Sequence, residues 1–101
     1  MSAVPSLHVQ HEPTPVSLAA LPRGTRGRII GIGRGAALSA LERRLLELGF
    51  VHGEPFEILA EARPGRDPFV VRVGHTTLAL RRREVETVWV DSSARTAAPP
   101  P

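Results

Sequence analysis

The chain has no cysteine, no lysine and no tyrosine, and its aromatic residues are three phenylalanines and one tryptophan. The absence of cysteine excludes disulfides, thiolate metal ligands, thiol nucleophiles and iron–sulfur clusters. The absence of lysine excludes Schiff-base chemistry and the phosphate-binding lysine of P-loop enzymes. So few aromatic side chains leave little for stacking on nucleic-acid bases. The composition therefore removes several kinds of enzyme chemistry before any motif is considered.

Long apolar segments are also missing, and no run approaches the length of a membrane span. The first residues lack the basic start and apolar stretch of a secretory signal. Because a chain without cysteine also fits a reducing compartment, we expect a soluble, cytoplasmic protein. The net charge is a modest +3, and most arginines alternate with glutamates.

The two ends of the chain differ in composition from its middle. Residues 1–15 carry three prolines and little periodicity, and residues 92–101 have no apolar face to bury. We expect disordered tails at 1–15 and at 92–101, the second rich in proline and alanine. One small domain is then predicted at residues 16–91.

A short amphipathic helix with its own stop signal is the clearest local pattern. Its leucines recur at helical spacing: Leu38, Leu41, Leu45 and Leu48. Ser39 and Glu42 have the spacing of a capping box, so the helix is predicted to begin near Ala40. Gly49 suits the left-handed residue after the helix, and Phe50 can fold back onto Leu45 in a Schellman arrangement. Because a helix this short is unstable alone, it must pack on the rest of the domain.

Several short strands surround this helix in the sequence. They are predicted at residues 25–32, 54–62, 69–73, 76–81 and 88–90, with a hairpin turn at Gly74–His75. Strands this short protect their edges best by closing into a small barrel, with the helix over one open end or side. The predicted fold class is mainly β, and the expected core is Ile30, Leu41, Leu45, Leu48, Ile58, Val71, Val73, Leu78 and Leu80.

The sequence offers little that would support catalysis. The glycines of residues 31–35 precede the helix but lack the spacing of a phosphate-binding loop. His52 and His75 fall in turns, where they are weak metal candidates that can bind Zn²⁺ or Ni²⁺ adventitiously. No carboxylate pair or nucleophile–base pair is apparent, so we predict no enzyme activity and no cofactor.

Arginine-rich segments raise a second hypothesis. Residues 81–83, with Arg26, Arg28 and Arg72 on predicted strands, can form a basic stripe for RNA or DNA. Glu84 and Glu86 follow the run directly and favour a salt-bridged, solvated face instead. A small nucleic-acid-binding barrel that uses this hairpin is therefore kept as the alternative function.

The order of motifs resembles the FeoA family over residues 16–91. The segments that carry the likeness are SLAALPRGTRGRIIGI, LERRLLELGFVHGEPFEIL and RDPFVVRVGHTTLALRRREVETVWV. The resemblance implies an SH3-like β-barrel with one inserted helix. It also implies an accessory role in bacterial ferrous iron uptake and a partner, the FeoB-type membrane transporter with its cytoplasmic GTP-binding region.

The combined hypothesis is a non-enzymatic cytoplasmic module that docks on the GTPase region of a FeoB-type transporter. Arginine and aromatic residues are the usual anchors of interfaces. The candidate contact residues are Arg34, Arg43, Arg44, Phe50, Val51 and His52. The hypothesis includes no nucleic acid and allows contact with the membrane only through the partner. Weak self-association through a barrel edge or the helix surface is also kept.

Overall fold

The structure is a computed structural model that describes residues 15–92. Six strands form one antiparallel sheet in the order β1-β6-β2-β3-β4-β5. The elements are β1 Val16–Ser17, a first 3₁₀ turn Leu18–Ala20, β2 Arg26–Ile32, α1 Ala40–Leu48, β3 Pro55–Glu61, β4 Phe69–Val73, β5 Thr76–Leu80, a second 3₁₀ turn Arg82–Val85, and β6 Val88–Asp91. The mainly β class with one helix is confirmed. The domain limits stay a prediction, and residues 1–14 and 93–101 of the expected tails lie outside the described residues.

None of the helices between residues 15 and 92 has the length and apolar character needed to cross a bilayer.

The core lies on the inner face of the bent sheet and contains only apolar side chains. Its buried members are Leu18, Ile29, Leu45, Phe50, Phe56, Ile58, Phe69, Val71, Val73, Val85, Val88 and Val90. Of the predicted core, Leu45, Ile58, Val71 and Val73 are fully buried, whereas Leu48, Leu78 and Leu80 are half-buried against it. Leu41 was expected inside but is 43% exposed.

The buried face of β2 is the opposite of the one predicted. Ile29 is buried, whereas Ile30 is half-buried and shares the outer face with the exposed Arg26 and Arg28. A register shift between Ile29 and Gly31, where β2 pairs with β6, breaks the simple alternation of the strand. The prediction of Ile30 as a core residue is therefore wrong.

Gly27 allows β2 to pass close to the end of β6. A β-carbon built on Gly27 would overlap the carbonyl oxygen of Asp91 and approach the Phe56 ring to 3.0 Å. At Gly31, on the same strand, a β-carbon would meet no atom within 4 Å. The two glycines therefore have different roles, and only Gly27 is required by packing.

The guanidinium of Arg82 joins distant parts of the chain. Its Nη1 donates hydrogen bonds to the carbonyl oxygens of Ala19 and Leu21, at 3.0 and 2.7 Å. Its Nε donates to the carbonyl oxygen of Arg66 at 2.9 Å, and its Nη2 to Glu61 Oε1 at 2.7 Å. The side chain is only 13% exposed. These contacts, called here the Arg82 network, connect the first 3₁₀ turn, the end of β3 and the β3–β4 loop.

Two further contacts fix the position of Arg82. Its guanidinium carbon lies 4.5 Å from the centroid of the Phe69 ring, and its backbone N–H donates to Asp67 Oδ1 at 2.8 Å. Burial alone would raise the pKa of Glu61, but the hydrogen bond and charge of Arg66, together with Arg82, hold it below its ordinary value. Glu61 is therefore the ionised partner in the Arg82 network.

We predict that Arg82→Met lowers the free energy of unfolding by about 3 kcal/mol, because it removes the donor of three carbonyl oxygens and leaves Glu61 paired with Arg66 alone. Arg83→Met is the matched control, since Arg83 is exposed in the same 3₁₀ turn, and should change stability by less than about 0.5 kcal/mol. Urea denaturation measures both, and equal effects would contradict a structural role specific to Arg82.

We further predict that Gly27→Ala destabilises the fold by about 2 kcal/mol or more, because backbone must move to admit the methyl group. Gly31→Ala should be tolerated, since its site is open. Thermal unfolding of both variants checks the difference, and a Gly31→Ala variant that is the less stable of the two would refute the assignment.

Candidate partner-binding surface

The helix α1 begins with a complete capping box. Ser39 Oγ accepts a hydrogen bond from Glu42 N at 3.1 Å, and Glu42 Oε1 accepts one from Ser39 N at 2.9 Å. The other oxygen of Glu42 accepts a 2.6 Å hydrogen bond from the Thr87 hydroxyl, just before β6. The Thr87 bond, followed by the Ser39 backbone bond, lowers the pKa of Glu42. The predicted cap is confirmed, and it also attaches the helix to the barrel.

The helix ends in the predicted Schellman motif. Gly49 has a φ of 119°, and its N–H donates to the carbonyl of Leu46, whereas Phe50 N–H donates to that of Leu45 at 3.1 Å. The Phe50 side chain has no exposed surface and belongs to the core. Its prediction as a contact residue is therefore corrected, because closing the helix end turns this ring inward.

The turn after the helix is held against β2. Gly53 N–H donates to the carbonyl of Ile29 at 2.8 Å, and a ring nitrogen of His52, Nδ1, lies 2.9 Å from the carbonyl oxygen of Ile30. Between them and the helix, Val51 is 38% exposed. The turn thus presents an apolar side chain and an imidazole on a fixed backbone.

Arg34 lies in the loop between β2 and α1, beside the single tryptophan. Its guanidinium carbon is 5.6 Å from the Trp89 ring centroid, and Trp89 Nε1 donates to the carbonyl of Gly33 at 2.9 Å. Trp89 also borders an apolar groove of about 490 Å³ on the outer face of the sheet. The groove is lined by Pro15, Ile30, Gly31, Ile32, Gly33 and Trp89.

A second groove of about 410 Å³ separates α1 from β5 and the second 3₁₀ turn. It is lined by Ala40, Leu41, Arg44, Leu45, Leu48, Leu80 and Glu84. Leu41, Leu80 and Glu84 were not among the predicted site residues. The leucine periodicity identifies the apolar face of the helix, but it does not show that the barrel leaves one edge of that face uncovered.

The candidate residues form a strip rather than one cluster. Arg43 and Arg44 are exposed on α1, and Val51 and His52 follow its C-terminal end. Arg34 lies near its N-terminal end, where its charge acts on Glu42. A nine-residue helix is about 13 Å long. A partner that contacts all of them must therefore span the length of the helix.

Metal-ligating side chains are not grouped in the described part of the chain. Between residues 15 and 92, no three or more His, Asp or Glu side chains lie together in a way that would hold an ion. His52 and His75 are both exposed. Their assignment as weak metal candidates stays a prediction.

Three of the six arginines named in the nucleic-acid hypothesis have acceptors within the protein. Arg82 belongs to the Arg82 network, Arg72 pairs with Glu57 at 2.8 Å, and Arg28 donates to the carbonyl of Gly53. A guanidinium with protein acceptors is less available for phosphates. These contacts weaken the alternative function, which would depend on the exposed Arg26, Arg81 and Arg83.

These features define a small sheet protein with one inserted helix and an exposed basic and apolar strip. The profile of the FeoA domain matches residues 16–92, and the chain belongs to the FeoA family, which is connected with ferrous iron transport.

Known proteins resemble the chain in sequence and in fold. A Porphyromonas gingivalis Fe(2+) transport protein A/Fe(2+) transporter FeoB fusion protein is 33% identical over 85 residues, 81% of this chain; the alignment covers only 10% of the fusion protein. The Stenotrophomonas maltophilia FeoA complexed with zinc, an SH3-domain protein, is 38% identical with a TM-score of 0.68, over 78% of this chain and 93% of that one. A FeoA-like protein from Clostridium acetobutylicum, 23% identical, shares the fold with a TM-score of 0.72, over 86% and 96% of the two chains. The SH3-like class is thereby confirmed.

The carboxylate of Glu42 predicts an acid-sensitive attachment of α1. Because the folded-state pKa of Glu42 is lowered, its stabilisation is complete above the ordinary carboxyl pKa and is lost over the acidic range in which the pH falls from that value through the lowered pKa. Glu42→Gln and Thr87→Val should both reduce the loss of melting temperature over this range, as measured by circular dichroism. Profiles parallel to that of the unmodified chain would contradict the assignment.

Proposed function

We propose that the chain is a non-enzymatic, cytoplasmic accessory and regulatory protein of ferrous iron uptake that docks on the cytoplasmic GTPase region of a FeoB-type transporter. The observation that carries this proposal is the fusion protein, in which an FeoA part and an FeoB part share one polypeptide. Fusion keeps two modules at high effective concentration, which is useful only where they act together. The S. maltophilia relative has likewise been put forward as a ferrous iron transport activating factor.

The absence of catalytic features supports a binding role. Within residues 15–92 no polar or charged residue is fully buried, and the largely covered Arg82 and Glu61 are paired with each other. Catalytic acids and bases usually depend on burial in apolar surroundings for their altered pKa values. An interior of this kind supports a role in binding at the surface.

The exposed strip along α1 supplies chemistry suited to docking. Arg43 and Arg44 are exposed, and neither is in an ion pair within residues 15–92. Val51 adds apolar area at the end of the helix. Arginine next to apolar surface is a common composition of interface anchors. We assign the docking surface to Arg34, Arg43, Arg44, Val51 and His52.

We predict that Arg43→Glu combined with Arg44→Glu weakens binding to the cytoplasmic region of the transporter at least about tenfold, because it places repulsive charge at the interface. Calorimetry with the purified region, with and without GTP, measures the affinity, and GTP hydrolysis is followed in the same samples.

Arg23→Glu combined with Arg63→Glu is the matched control for this experiment. It changes the net charge equally, but both residues lie in exposed loops away from α1. Equal weakening by the two pairs would mean that only net charge matters. Unchanged binding after the helix substitutions would refute the docking surface.

A further inference from the structure

β5 leaves one edge of the sheet open. In the β4–β5 hairpin, Val73 faces Thr76 and Val71 faces Leu78. Gly74 N–H donates a hydrogen bond to the carbonyl of Pro55 at 2.9 Å, so the backbone N–H and C=O groups of Gly74 point towards β3. Because these groups alternate in direction along a strand, those of Val73 point towards β5. The bonds within the hairpin therefore use Thr76, Leu78 and Leu80.

The intervening residues of β5 have backbone groups that point away from the sheet. Thr77 and Ala79 are exposed, and β5 is the last strand of the described sheet. The open edge ends at Arg81, whose N–H is occupied by Glu84 Oε1 at 2.8 Å. Two N–H and two C=O groups thus form a short template for pairing with another strand.

The groove beside α1 meets this strand at its C-terminal end. Leu80 of β5 lies in its wall opposite Leu41 and Leu48 of the helix. Side chains on an added strand alternate between its two faces. Those on the side of Leu78 and Leu80 would enter the groove, where Leu41 is 43% exposed.

Cationic groups flank the same place. Arg44 lines the groove, and Arg81 continues β5 in an extended conformation. Neither guanidinium takes part in an ion pair within residues 15–92. Glu84, the acidic residue of the groove, already accepts the Arg81 N–H. A bound segment with carboxylates near its ends would complement these charges.

We propose that the open edge of β5 and the groove beside α1 bind an extended segment of a protein partner, with alternating apolar and acidic side chains, as an added strand. Backbone pairing at Thr77 and Ala79 gives affinity, and the groove selects the apolar side chains. The assignment of this segment to the transporter rests on the proposed function, whereas the edge and the groove do not.

The first test uses a defined probe. The full chain, labelled with ¹⁵N, is titrated with a blocked peptide Asp-Leu-Glu-Leu-Glu-Leu-Asp and with a version carrying lysine at the acidic positions. The acidic peptide should shift and protect the amides of Thr77 and Ala79, with a weaker effect from the lysine version. Shifts confined to the groove beside Trp89, or none at millimolar peptide, would overturn the proposal.

Ala79→Pro removes one outward N–H without removing a bond of the hairpin, and proline is accepted at such edge positions. The Ala79→Pro substitution should weaken the binding of the acidic peptide roughly tenfold. The matched Ala79→Val substitution keeps the N–H and should leave the affinity unchanged. Leu41→Asp tests the groove separately at an already exposed position. If the Ala79→Pro variant does not fold, hydrogen exchange of the Thr77 and Ala79 amides is measured in the unmodified chain with and without the acidic peptide. Slower exchange with the peptide supports pairing at the edge, and unchanged exchange overturns it.

In the last experiment, the cytoplasmic region of the transporter replaces the peptide. Binding of this region without protection of Thr77 and Ala79 would overturn the edge inference and leave the proposed function intact. Binding of the peptide at the edge without binding of the transporter region would support the edge inference and overturn the proposed function. Protection of these amides that increases with protein concentration alone would assign the edge to a second copy of the chain and overturn the partner assignment.

Discussion

The arrangement of this small sheet depends on one guanidinium. Arg82 binds two carbonyls of the first 3₁₀ turn, the Glu61 carboxylate at the end of β3 and the carbonyl of Arg66, while packing on Phe69. These groups come from the beginning, the middle and the end of the domain. Apolar contacts are non-directional, so they bring such short elements together without fixing how they meet. The planar fork of arginine supplies that direction.

With the sheet fixed in this way, the helix needs few contacts of its own. α1 is attached at its start through Glu42 and Thr87 and at its end through Gly49 and Phe50, and between these points only Leu45 is fully buried. Because α1 is attached mainly at its ends, one side of its middle part is not covered by the barrel. The groove between α1 and the end of β5 and the exposure of Leu41 follow from that arrangement.

The parts of the fold that local rules control were predictable from the sequence. The caps of α1 depend on neighbouring residues such as Ser39 and Gly49, and both were identified correctly. The buried side of β2 was not, because the bulge at Ile29–Gly31 arises from pairing with a strand near the end of the chain. The role of Arg82 was not predictable either, because within a run of three arginines nothing in the sequence distinguishes the one whose guanidinium binds the rest of the domain. Phe50 was recognised as a helix stop, but the same role removes it from the surface.

The arginines of this chain divide according to whether acceptors lie within reach. Arg82, Arg66 and Arg72 have carboxylates nearby and are used in holding the protein together. Arg44 forms no ion pair within residues 15–92 and lies beside the apolar side chains of the groove. A weakly hydrated guanidinium next to exposed leucine costs little to desolvate and gains most when a partner brings a carboxylate to it. In a chain without lysine, this division is the reason for proposing that a partner binds on the helix side of the barrel, where an exposed cation, an apolar groove and an open strand edge come together.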